Sequence, residues 1–155
     1  MVDNKEIFQV DSAEDSPGFL LWQVSSMWQR RINAGLKPFD LTHAQFVLLA
    51  SLTWLASQDK PLTQADLASH AKMDVMMTSN VLRTLEEKKL IARNPHPTDT
   101  RAKSLAVTGK GRDLAAQAVA VVEKIDSDFF SSLENSIGGF NKQLLKLIEA
   151  GGENS

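Results

Sequence analysis

The stretch that most constrains this chain runs Asp74-Val-Met-Met-Thr-Ser-Asn-Val-Leu-Arg-Thr-Leu-Glu-Glu-Lys-Lys89. Asp74 suits a helix N-cap, because its carboxylate can accept from the free amides of the first turn. Val81, Leu82 and Leu85 recur at helical spacing and predict a core-facing stripe. The opposite face carries Met77, Ser79, Asn80 and Arg83, a poor packing surface but one suited to reading base edges in a major groove. Val75-Met76-Met77 is unusually apolar for such a face, which predicts either thymine-methyl contact or partial burial of at least one of the three. A shorter helix, Thr63 to about His70, precedes it across a tight turn, with Ala65, Leu67 and Ala68 expected inward. The pair has the spacing of a helix-turn-helix, although any packed helical hairpin would read the same way.

The flanks separate the two readings. Leu90-Ile-Ala-Arg-Asn94 is short and apolar at its start, as a strand would be. Pro95-His-Pro-Thr-Asp-Thr100 is turn chemistry, and Ala102, Ser104 and Ala106 then alternate with Lys103, Leu105 and Val107 in a second strand. Two strands joined by a basic loop directly after a helix-turn-helix make a wing. Charge follows the same division. Residues 83–112 hold eight Lys and Arg against three acids, a net of +5, which leaves −7 on the rest of a chain whose total is −2. Such polarisation is what an electrostatic footprint for phosphate requires.

The remaining chain reads as helices around this unit. Residues 1–15 are polar and acidic, expected as a loosely held arm. Ser16-Pro17 opens a helix to about Ala34, with Pro17 at its first position, Gly35 as C-terminal cap, and Phe19, Leu20, Val24, Met27 and Ile32 as its stripe. Trp22 and Trp28 widen that stripe, so it is buried either within the chain or against a second subunit. Thr42 and Gln45 form a capping box for a helix to about Ser57, and the connector 58–62 can add a short strand. Thr108-Gly-Lys-Gly caps a long helix from about Lys110 to Leu133, and a final amphipathic helix covers roughly Gly139 to Ala150. A single domain of 155 residues is expected, with no apolar window long enough to span a membrane and no secretory signal. Cysteine is absent, which excludes disulfides, thiolate metal sites and thiol redox sensing, and is compatible with a cytoplasmic protein.

Read together, Leu41-Thr-His-Ala-Gln-Phe-Val-Leu-Leu, Leu62-Thr-Gln-Ala-Asp-Leu-Ala, Leu85-Glu-Glu-Lys-Lys-Leu-Ile-Ala-Arg93 and Pro97-Thr-Asp-Thr-Arg101 resemble the multiple-antibiotic-resistance regulator (MarR) family of transcription factors. The resemblance spans about residues 16–148. It implies a mainly α fold, a winged helix-turn-helix with a small β-wing and with N- and C-terminal dimerisation helices. The DNA-binding part would cover about 60–110, and the dimerisation part 16–35 and 110–150, within one domain of 16–150. It further implies a homodimer on double-stranded DNA with a near-palindromic operator, and a regulator that represses until a small aromatic or phenolic effector releases it.

Carried over by position, Ser79 and Asn80 fall where the family contacts bases, with Met77 and Arg83 on the same helix. Thr63 and Gln64 fall at a phosphate-contacting helix start, and Arg101 and Lys103 on the wing, where Asp99 positions the arginine. The chain also departs from the family. Its wing usually reads Asp-Pro-x-Asp-Arg-Arg, whereas His96 replaces the first Asp here and Thr100 the first Arg. Lys72 and Lys89 stand where the family prefers glycine. An effector pocket is implied near the junction of the two parts, with Trp22, Trp28, Phe39, Phe46 and Trp54 as lining; the alternative for each is a plain core role.

Other classes find little support in the sequence. It holds no Gly-x-Ser-x-Gly, phosphate-cradling glycine loop or His-Glu-x-x-His, so no enzyme is predicted, and no catalytic residue or cofactor. His43, His70 and His96 have no ligand spacing, and no metal is expected. A winged helix that binds another protein is the remaining alternative.

Overall fold

The computed structural model of the chain describes residues 4–58, 60–99 and 103–152. In chain order come α1 (Asn4–Ile7), α2 (Pro17–Leu36), α3 (His43–Leu55), α4 (Gln64–Ala71), α5 (Val75–Glu87), β1 (Ile91–Pro95), β2 (Lys103–Val107), α6 (Gly109–Phe129) and α7 (Ile137–Gly152). Short 3-10 turns cover Ala13–Asp15, Lys37–Phe39 and Ser131–Ser136. None of the helices is long and apolar enough to cross a membrane among the described residues.

Side-chain chemistry sets most of the starts. Thr42 accepts from the Gln45 amide at 3.1 Å while Gln45 Oε1 accepts from the Thr42 amide at 3.2 Å, the predicted capping box. Thr63 and Asp66 close a second box at 3.0 and 3.2 Å. Asp74 Oδ1 accepts from the Met77 amide at 3.0 Å, and Thr108 Oγ1 from the Gly111 amide at 3.0 Å. The stops after α4 and α5 share one geometry. Met73 N donates to Ala68 O and Leu90 N to Leu85 O, each at 3.0 Å, around a left-handed Lys72 (φ 53) and Lys89 (φ 62). A lysine there costs roughly 1–2 kcal/mol against glycine, so both ends are held by tertiary structure.

The core lies where α3, α4, α5, α6 and the end of α2 meet. Ile32, Leu36, Leu48, Leu49, Leu52, Leu67, Leu82 and Leu85 are fully buried there, and Leu90, Ile91 and Leu105 bring the sheet in from below. β1 and β2 pair antiparallel from Ile91 opposite Val107 to Pro95 opposite Lys103. Leu62 adds a single bridge, Leu105 N donating to its carbonyl at 2.7 Å, so the connector strand is one residue long. The other half of the molecule is uncovered. α7 buries no residue, and α2 buries only Ile32 and Leu36.

Several expectations change. Gly35 does not cap α2 but lies inside it, where a Cβ would stand 2.4 Å from Ile125 Cδ1; the missing side chain lets α2 and α6 approach. Ala65 is exposed, and only Leu67 and Ala68 of α4 turn inward. α6 stops at Phe129 instead of Leu133, and the chain turns through Ser131–Ser136 with Glu134 at φ 50. Val75, Met76 and Met77 are all exposed, so none is buried against α4.

Candidate nucleic-acid interface

The outward face of α5 is fixed by what the helix buries. Thr78, Leu82 and Leu85 face the core, with Thr78 Oγ1 donating to Asp74 O at 2.8 Å. Burying a hydroxyl costs free energy unless it is bonded, and this local bond removes the cost. Positions four and seven residues apart share a helix face. The line farthest from the core therefore runs Met76, Asn80, Arg83 and, at the end of the helix, Glu87, all exposed. Ser79, predicted beside Asn80, is half-buried, and Met77 lies on the flank at 47% exposure. Met76, at 75% exposure, joins the face on which the sequence analysis placed Met77, Ser79, Asn80 and Arg83. The cue was available in Thr78: treating a small hydroxyl residue as inward rotates the helical wheel onto Met76.

Beside this line the helix is braced to the wing. Arg93, on β1, donates from Nη1 to Gln64 Oε1 at 3.2 Å, and its Nε pairs with Glu86 Oε2 at 3.1 Å. One side chain thus ties the start of α4, the end of α5 and the wing root. Sequence reasoning counted Arg93 only as charge. With its oxygen occupied, Gln64 keeps its amide NH₂ for an acceptor such as phosphate, and Thr63 is half-buried beside it. Asp66 is held below the usual carboxylate range, first by the Thr63 backbone N–H and then by the Thr63 hydroxyl, which secures the cap in its charged form.

On the wing, Lys103 is exposed at the first position of β2. Thr100, Arg101 and Ala102 lie outside the described residues, so the wing arginine and its relation to Asp99 are not placed. His96 has a clear role: its Nδ1 accepts from the Thr98 amide at 3.2 Å and the Asp99 amide at 3.1 Å. It makes the side-chain turn bond that an Asp would make at that position, which accounts for the departure. Of the basic run, Lys88 and Arg93 are committed to structure, since Lys88 reaches Asp40 and Gln45. Arg83, Lys89, Lys103, Lys110 and Arg112 have no carboxylate within 4.0 Å among the described residues. Those charges are available to a polyanion.

The five aromatics do not converge. Trp28 faces an apolar cavity of about 320 Å³ between α2 and α7, with Val24, Phe130, Phe140 and Leu144. Phe46 and Trp54 line a different groove, Phe39 packs on the core, and Trp22 is 70% exposed. Trp28 is held in place: its Nε1 donates to Asp126 Oδ1 at 2.8 Å, and its ring meets His43 edge-on at 5.0 Å. Burial lowers the His43 pKa below its ordinary 6.5, against a smaller opposing pull from Asp126. Among the described residues, no group of three or more His, Asp or Glu is arranged to hold a metal.

A helix with an outward polar line, a preceding capped helix and a cationic two-stranded wing define a winged-helix DNA-binding protein. The chain belongs to the MarR family, whose model matches residues 41–103. It is similar to the uncharacterized HTH-type transcriptional regulator YdcH of Bacillus subtilis, 44% identical over 134 residues, 84% of this chain and 90% of that protein. An HTH-type transcriptional repressor of Mycobacterium tuberculosis is 35% identical over 122 residues, 78% of this chain and 85% of that one. Among solved structures, the Staphylococcus aureus MepR–DNA complex superposes with TM-score 0.79 at 29% identity, covering 87% of this chain and 98% of MepR. CouR of Rhodococcus jostii, bound to p-coumaroyl-CoA, gives 0.77 at 26% identity, covering 90% and 95%. The chain is a DNA-binding transcriptional regulator.

Proposed function

We propose that the chain acts in the cytoplasm as a homodimeric repressor whose operator is a near-palindrome with half-sites about 10 base pairs apart. Residues 60–110 bind DNA, 16–35 and 110–150 pair the subunits, and 1–15 form an arm. The observation that carries the DNA reading is the exposed line Met76–Asn80–Arg83 beside a wing whose Lys103 has no carboxylate within 4.0 Å among the described residues. Thr63 and Gln64 meet phosphate, as do Arg101 and Lys103 on the wing, with Asp99 positioning Arg101. Ser79 touches the base edges from the side.

Support for the dimer comes from apolar surface that one chain leaves uncovered. Leu21 and Trp22 on α2 are 56% and 70% exposed, and Leu145 and Leu147 on α7 are 54% and 66% exposed. Single exposed apolar residues are ordinary, whereas two neighbouring helices so decorated indicate an interface. Repression is the activity named for the mycobacterial relative. The Trp28 cavity between α2 and α7 offers an aromatic effector an apolar wall, and CouR supplies the precedent of a phenolic acyl ligand.

Titration of the full chain against the duplex upstream of its own coding sequence, by fluorescence anisotropy, tests this reading. Binding of that duplex at least tenfold tighter than a scrambled one is the expected result. Equal affinity for the two would reject operator recognition.

A further inference from the structure

We infer that Met76 reads a thymine methyl group and thereby sets the sequence preference of this regulator, an inference that rests on the operator reading above. Three neighbouring apolar side chains, Val75, Met76 and Met77, open α5 at 67%, 75% and 47% exposure. Their backbone is not free to turn them inward. The Asp74 cap fixes the register through the Met77 amide, and buried Thr78 locks the opposite face. The helix therefore presents a thioether at the end that enters a major groove first.

The surroundings name the occupant. Asn80 and Arg83 share the line of Met76, and Arg83 has no carboxylate within 4.0 Å among the described residues. An apolar side chain in line with an amide and a guanidinium fits a DNA groove better than an apolar protein face, because the groove offers a hydrophobic group beside base edges and phosphates. In the major groove that group is the C5-methyl of thymine. Methionine suits the contact, being unbranched, polarizable and adaptable. Met76 and Asn80 stand four residues apart, roughly 6 Å along the helix axis. Base steps are ~3.4 Å, so the thymine read by Met76 lies within about two steps of the adenine that Asn80 can bond bidentately.

The experiment uses a duplex that the full-length protein selects from a randomised pool. Each thymine of one half-site, then of both, is replaced by deoxyuridine, which removes only the methyl. Wild type is expected to weaken at one symmetric position by about fourfold per half-site, and ~15-fold with both replaced, the value of one buried methyl. Met76→Ala, at an exposed helix position, should bind the thymine duplex more weakly and no longer distinguish it from the deoxyuridine duplex. Val75→Ala should keep the distinction. Selection of a clear consensus with no deoxyuridine effect, or with the same effect in Met76→Ala, overturns the inference and leaves operator recognition standing. A pool that yields no consensus, with the protein still binding random duplex, overturns both.

Discussion

Gly111→Ala should be far more damaging than an alanine in a helix ordinarily is. Gly111 is the third residue of α6, and its backbone is helical, so the substitution meets no conformational barrier. Space is what fails. A Cβ there would lie 2.0 Å from Leu90 O, 2.9 Å from Leu90 C and 3.2 Å from Leu90 Cα. All three are backbone atoms and cannot swing aside. Reaching even a tight 3.0 Å requires about 1 Å of separation between α6 and the root of β1. That separation strains the bonds closing the junction: Thr108 N to Leu90 O at 3.1 Å and Thr108 Oγ1 to Lys89 O at 2.7 Å. Overpacking costs roughly 1–3 kcal/mol, and each hydrogen bond lost adds about 0.5–1.5 kcal/mol. About 3 kcal/mol in total is expected, a fall in Tm of ~6–12 °C for a chain of this size. Calorimetry at one protein concentration measures it, with Gly109→Ala as control, because a Cβ there meets nothing within 4 Å. Should Gly111→Ala melt within two degrees of Gly109→Ala, the packing argument is wrong.

Asn80→Ala should lose discrimination between operator and scrambled duplex by roughly 1–3 kcal/mol, and Arg101→Ala should weaken both alike and lower the salt slope by about one per subunit. Titrations at several salt concentrations separate the two, and a changed sequence preference in Arg101→Ala would contradict its role. Sedimentation at micromolar concentration should give a dimer, and a stable folded monomer would refute the reading of α2 and α7. Because burial depresses the His43 pKa, the folded state binds fewer protons than the unfolded one just below pH 6.5. Its contribution to stability is complete above that pH and is lost as pH falls through the folded value. His43→Asn should therefore lose less Tm than wild type between pH 7 and pH 5.5; an equal loss would assign the acid sensitivity elsewhere.

What the sequence made legible was local. Thr42 with Gln45, Thr63, Asp74 and Thr108 announce their helices because a cap is decided by side chains within three residues of it. The wing was legible from Pro95 and Pro97 flanked by alternating residues. Long-range geometry was not. Gly35 looked like a helix stop, and only the approach of Ile125 shows it to be a contact point inside α2. Arg93 was one charge among eight until Gln64 and Glu86 were seen on either side of it. The outward face of α5 was legible at Met77, Asn80 and Arg83 but not at Met76, since Thr78 is polar in composition yet satisfies its hydroxyl within the helix and packs inward. Trp22 and Trp54 are 70% and 71% exposed, which residue type alone does not disclose.

The same long-range ties show how the two halves of the molecule communicate. At its C-terminal end α5 is pinned by Lys88, whose Nζ reaches Gln45 Oε1 at 3.1 Å, the Asp40 carbonyl and the Asp40 carboxylate at 3.4 Å. Asp40 sits on the turn between α2 and α3, and Gln45 in the first turn of α3. The Lys88 carbonyl in turn accepts from Lys110 Nζ at 3.2 Å, and the next two carbonyls bond Thr108, both at the start of α6. The end of α5 is thus attached to Asp40 and the start of α3 through one set of bonds and to the start of α6 through another, all from residues 88–90. α2 and α6 meet again at Gly35 against Ile125 and at Trp28 against Asp126. A ligand entering the Trp28 cavity between α2 and α7 would displace Trp28 and so load its bond to Asp126 on α6, and a shift of α2 against α6 would strain the two attachments of α5. Sub-ångström shifts suffice, because a packed junction of this kind switches between arrangements instead of stretching. The end of α5 is therefore coupled to the contact between α2 and α6, and a ligand that changed DNA affinity would do so by the difference in its affinity for the two arrangements.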